Sequence, residues 1–138
     1  MPHLEPSPPM LTASAGEGRL HVTGTAQPTG DGVIIALTGG DRPHVGAVGV
    51  GIPRHSLQDA HGQSATSSVF TITGHKDDEL AKPLAELFAR TLGQVAVVVV
   101  GLHLDNASPA EIASLSEHAR QAAGQLLSRL ASARKEGA

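Results

Sequence analysis

The sequence has no cysteine, no tryptophan and no tyrosine, and Phe70 and Phe88 are its only aromatic residues. Without cysteine there is no disulfide framework, no thiolate zinc site and no cysteine nucleophile, and thiol usage says nothing about redox compartment. With so few rings the chain lacks the usual stacking platform for single-stranded bases or flat cofactors. A planar ligand would have to be gripped by aliphatic side chains, glycine backbone and Phe70. A basic excess is missing too: 10 Lys plus Arg against 13 Asp plus Glu leave a formal charge of −3, which disfavours nucleic acid and anionic membrane as partners. No apolar run approaches the roughly 20 residues that span a bilayer. The start, MPHLEPSPPM, lacks the basic region and apolar stretch of a secretory signal, so the expectation is a soluble, cytoplasmic protein.

What is present is 138 residues, 16 glycines and eight histidines. That length suits one compact domain with a single core. Residues 1–18 are rich in Pro, Ser, Ala and Gly without periodic apolar positions, and are expected to form a loose, disordered arm. A single domain is expected over 19–134, with a frayed tail over 135–138. Alternation of Leu20, Val22 and Gly24 with His21, Thr23 and Thr25 predicts a strand over 19–25. Further strands are predicted over 33–38, 45–52 and 65–73, with Pro53 ending the third. The polar stretch 53–64, carrying His55 and His61, reads as a long mobile connection or lid.

Leu80, Leu84, Leu87, Phe88 and Leu92 recur at helical spacing, and Gly93 supplies a stop. Pro83 requires either a start close by or a bend. VAVVVVGL over 95–102 has the length and β-branching of a central strand covered on both faces. Ser108, Pro109 and Glu111 form a capping box with proline at the first helical position, and Ile112, Leu115, Ala119, Ala122, Leu126 and Leu130 give the following helix one apolar face. The order β-β-β-β-α-β-α predicts an α/β sandwich: a meander, then one crossover, with a mixed sheet of about five strands and two main helices. Two helices cover one face of such a sheet. The central strand asks for cover on the other, and a subunit interface in a homodimer is one way to supply it.

Three segments join glycine turns to a histidine at a predicted strand end: GGDRPHVG over 39–46, GHKDDE over 74–79 and GLHLDN over 101–106. Ligands gather beyond the carboxyl ends of strands in open α/β sheets. If the crossover strands are parallel, His75, Lys76, His103 and Asn106 converge there, with His44 joining if its turn lies on the same edge. Each segment also has a plain structural reading. Gly39-Gly40 makes a hairpin turn, Asp77, Asp78 and Glu79 complement a helix dipole, and Asn106 and Ser108 act as caps. Asp77, Asp78 and Asp105 are candidate metal ligands beside the histidines, although their spacing is no zinc motif. A phosphate at the helix start would gain from Lys76 yet meet three carboxylates, unless a divalent cation bridges them. No Walker loop, dinucleotide fingerprint or nucleophile elbow is present.

In order and spacing, TGGDRPHVG, GHKDDELAKPLAE and VVVVGLHLDNASPAEI resemble the LpdD-like prenylated flavin chaperones, the family of the small D subunit of gallate decarboxylase, over about 32–115. The resemblance implies a non-catalytic protein that binds reduced prenylated FMN and hands it to the large subunit of a UbiD-type decarboxylase. The flavin prenyltransferase is a further candidate partner. Carried onto this sequence, it points to Gly39, Gly40, Pro43, His44 and Gly46, to His75, Lys76 and Asp77, and to Gly101, His103 and Asn106; of these, Gly39, Gly40, His44, His75, Lys76, His103 and Asn106 are the expected cofactor-binding residues. On that expectation His75, Lys76 and the helix start hold phosphate, while His44 and His103 bond ring or ribityl oxygens. A metal-dependent hydrolase or lyase, and a purely structural decarboxylase subunit, are the competing readings.

Overall fold

The computed structural model describes residues 8–55, 63–72 and 76–137. Six strands form one mixed sheet: β1 (Leu11–Ala15), β2 (Val22–Pro28), β3 (Gly32–Gly40), β4 (Ala47–His55), β5 (Gln63–Thr71) and β6 (Val95–His103). Two helices, α1 (Asp77–Leu92) and α2 (Pro109–Gly137), complete the single α/β domain. The sheet order is β1-β2-β3-β6-β4-β5. Only β3 and β6 pair in parallel; every other pairing is antiparallel.

Two features depart from the simple meander. The sixth strand, β1, lies inside the segment expected to be a loose arm. Its small side chains make a weak pattern, but its backbone pairs with β2 from Leu11↔Ala26 to Ala15↔Val22, and Arg129 and Gln125 of α2 donate to the Thr12 and Ser14 carbonyls. Secondly, β3 and β4 are not a hairpin, because β6 is inserted between them. The expected hairpin turn at Gly39-Gly40 is therefore absent, and both glycines belong to β3. The crossover strands β5 and β6 are both antiparallel to β4 and hence parallel to each other, with β4 between them.

The polar connection after β4 is shorter than expected, since pairing continues to His55↔Gln63; residues 56–62, with His61, lie outside the described segments. Pro53 does not end the strand. Pairing of β4 with β6 stops at Gly51↔Ala96, so at Pro53 only β5 stands alongside and the missing N–H is tolerated. The helices follow the apolar spacing. α1 buries Leu80, Leu84, Phe88 and Leu92 against the sheet, and it carries Pro83 in its second turn at an exposed position. Gly49 and Gly51 admit its backbone against β4, where a Cβ would collide with the carbonyls of Ala81 and Ala85. α2 opens on the capping box: the Glu111 N–H donates to Ser108 Oγ and the Ser108 N–H to Glu111 Oε1, both at 3.1 Å. It continues to Gly137, through the stretch expected to fray.

Both helices lie on one face, α1 over β4, β5 and β6, and α2 over β1, β2 and β3. The core is the single layer between them and the sheet, centred on Phe88, Ile35, Leu37, Val98 and Leu126. Within the described residues of the single chain β6 is covered on one face only. Val98 and Val100 are fully buried, while Val97 and Val99 point to the opposite face and are only half-buried. On that uncovered face Phe70 is 72% exposed.

Candidate functional site

The topology brings the carboxyl ends of β3, β5 and β6 to one rim. From β3, the connection 41–46 crosses the end of β6 to reach β4. It is tied down twice: the Asp41 N–H donates to the His103 carbonyl at 2.7 Å and the Gly46 N–H to the Val100 carbonyl at 2.9 Å. Glycine makes this crossing possible. A Cβ on Gly101 would strike the His44 carbonyl, and one on Gly46 would strike the Asp77 carboxylate.

The consequence is a packed group of polar side chains from three elements. Asp77, in the first turn of α1, is 3% exposed, and its Oδ1 accepts the Leu102 N–H at 3.2 Å. Its other oxygen lies 4.0 Å from His44 Nε2. A carboxylate at a helix N-terminus is favoured by the dipole, and here it also fastens α1 to β6. The His44 ring lies 6.2 Å from that of His103, centroid to centroid. Among the described residues His44 Nδ1 is buried without a hydrogen-bond partner.

Outside this buried layer lies an exposed ionic one. His103 Nε2 is 2.9 Å from Asp105 Oδ1, and this hydrogen bond, helped by the Arg42 guanidinium and by Arg19, holds the Asp105 carboxyl below its ordinary value. Arg19 donates to the Asp105 carbonyl at 2.7 Å and approaches Asp41 and Glu111 at 3.4 and 3.6 Å. Asp41 in turn accepts the Asp105 N–H at 2.9 Å. Pairs this exposed contribute little individually; together they tie the turn after β6 to Arg19, Asp41 and Arg42. Asn106 occupies that turn with φ 50°, a left-handed conformation that asparagine tolerates better than most residues. Its place in the sequence pattern is explained by the turn.

Beside this group opens a cavity of about 400 Å³ between β6 and the starts of α1 and α2. Leu80, Leu102, Leu104, Ala107, Ile112 and Leu115 make its walls, with Lys76, Asp77, His103 and Ser116 as the polar positions. Of the residues expected to bind cofactor, Lys76 and His103 line the cavity, and His44 stands next to two of its lining residues. Gly39, Gly40 and Asn106 do not line it; Gly40 pairs with His103 and shapes the rim. His75 lies outside the described residues. Phe70 is on the uncovered sheet face and Phe88 in the core, so neither ring reaches the cavity.

The metal candidates do not come together. Asp77 is bound to β6 and Asp105 to His103, and among the described residues no group of three or more His, Asp or Glu side chains is arranged to hold an ion. The apolar walls escaped the sequence reading because Leu80, Ile112 and Leu115 fit a helix stripe as well as they fit a ligand site. A usable signal was their position: they fall in the first turns of both helices, where a stripe runs past the sheet edge. Arg19 gave no such signal, since its partners, the Asp41 and Glu111 carboxylates and the Asp105 carbonyl, are remote in sequence.

Residues 16–131 match the prenylated flavin chaperone LpdD-like domain. The chain belongs to that family. The match runs from just after β1 into the last turns of α2 and includes all three glycine–histidine segments. Comparison with curated proteins gives no match. Among solved structures, the LpdD-like chain is similar in fold to one from the crystal structure of a novel chaperone complex for yeast 20S proteasome assembly. The TM-score is 0.59 at 11% identity, covering 88% of this chain and 98% of that one. At that identity the likeness is one of fold.

Proposed function

We propose that this LpdD-like protein binds reduced prenylated FMN in the cavity at the rim and passes it, chemically unchanged, to an apo UbiD-type decarboxylase. The observation that carries the reading is the coincidence of a prenylated flavin chaperone domain over residues 16–131 with an apolar cavity of ligand size, flanked by His44, Lys76 and His103. Small-molecule sites run from about 300 to 1,000 Å³ and combine apolar walls with a few convergent polar groups, and this cavity does both. The leucine and isoleucine walls suit the prenylated ring system in the absence of a stacking aromatic. His103 and His44 are the donors for ring or ribityl oxygens, and Lys76 at the start of α1 is the cation for phosphate. The bound flavin supplies the chemistry of the acceptor enzyme.

The charges around the mouth favour a loose grip. Asp78 and Glu79 follow Lys76 directly, and Asp41, Asp105 and Glu111 hold Arg19 and Arg42 in ion pairs. A phosphate therefore meets about as much repulsion as attraction. For a carrier this is an advantage, because transfer depends on the difference between its affinity and the acceptor's.

Anaerobic titration of reduced prenylated FMN tests the site. Wild type is expected to bind, Ser116→Phe to lose at least about tenfold in affinity by filling the cavity, and Lys76→Ala to lose a few-fold. Equal affinity in all three overturns the placement. Delivery is read separately, as faster activation of an apo UbiD-type decarboxylase when the protein is present; an unchanged rate overturns it.

A further inference from the structure

We propose that the uncovered sheet face is the interface of a homodimer, in which two copies stack sheet against sheet. The face is continuous across the middle of the molecule. Strand register aligns Phe70, Val48, Val99 and Ala36 in one row, and Val50, Val97 and Ile34 in the next. Ile34, Ile52 and Phe70 are 47%, 53% and 72% exposed, although their neighbours are valines.

Three properties identify the occupant as a second copy. First, the described residues have no helix left to offer: α1 and α2 both lie on the opposite face. Secondly, among the described residues of β2 to β6 the face bears no acidic side chain, and its one basic residue, Arg54, sits at the far end of β4 and bonds Thr66. Nothing here selects a charged partner. An apolar stripe over β3, β6 and β4, bordered by Thr23, Thr25 and Gln27 of β2 and by Ser64, Thr66 and Ser68 of β5, matches another like itself, and a two-fold interface needs one patch to complement its own copy. Thirdly, the size is right. Five strands about 4.8 Å apart, each about 30 Å long, present roughly 700 Å² per copy, close to the ~800 Å² per partner of a standard stable interface. Stacking would place the two cores back to back, with helices on both outer surfaces.

The test is sedimentation velocity over about 1–50 μM on the full chain. Wild type should run at twice the chain mass of 14.1 kDa. Val99→Lys, at the centre of the face, should raise the dimer dissociation constant at least about 100-fold by burying two unpaired ammonium groups. Gln121→Lys, on an exposed position of α2, should leave it unchanged. Since the chain has no cysteine, Ala36→Cys offers a check that does not depend on how Val99→Lys folds: a short bis-maleimide should join two copies, whereas Gln121→Cys should remain single. A monomeric wild type overturns the proposal. So does a dimer that resists Val99→Lys and fails to cross-link through Ala36→Cys. Neither result bears on flavin binding, which uses the other face and the rim.

Discussion

At the scale of single residues the rim has two electrostatic layers with different duties. Asp77 is nearly inaccessible and fixes a helix to a strand. Asp105 is solvent-facing and holds an imidazole at the cavity edge. The Asp105 carboxyl is depressed chiefly by the His103 hydrogen bond, and the sign of its pH effect follows. A carboxylate lowered in the folded state adds stability above its unfolded pKa and loses that contribution as pH falls through the lower, folded value. The stabilisation contributed by this pair is thus present above the ordinary carboxylate value and lost as pH falls through the lower, folded one. Carbon-detected NMR titration should give Asp105 a midpoint below 3.8 in wild type, returning toward it in His103→Leu. Identical midpoints would remove the hydrogen bond as the cause.

Among the elements, legibility in the sequence tracked the range of the interactions involved. The start of α2 could be read from four adjacent residues because a capping box is a local device, and both reciprocal hydrogen bonds form. Ser108→Ala should cost about 1 kcal/mol, measured by urea denaturation, with the midpoint shifted and the slope retained; no shift would mean that packing alone holds the first turn. β1 is the opposite case. Its five residues pair with β2 and receive hydrogen bonds from α2 side chains more than a hundred positions away, and none of those partners is visible in a local window. The same holds for the connection 41–46. Gly39-Gly40 has the composition of a turn, and only the insertion of β6 between β3 and β4 makes it strand. Of the site, the histidines were legible because strand-end position follows from short patterns, whereas the walls were not, since an apolar helix residue reads alike over a core and over a cavity.

For the molecule as a whole, the proposed dimer would couple folding to association through the uncovered face. The VAVVVVGL run announced a need for cover on both sides, and the chain meets it on one. If a second copy supplies the rest, thermal stability acquires a concentration dependence, and the midpoint should climb by about 2 °C for each tenfold increase in protein. Differential scanning calorimetry over two decades of concentration reads this directly; a constant midpoint would mark a molecule that is stable alone.

The parallel pairing of β3 with β6 has one more effect. Gly40 stands beside His103, and the segment bearing His44 is pinned to β6 at both ends, so the 6.2 Å between the two imidazole centroids is set by backbone anchored to one strand. The rim works as a gauge of fixed width. A carrier built this way would adapt to a new guest by exchanging wall side chains, whereas resetting the spacing of its polar contacts would require the 41–46 connection to come away from β6.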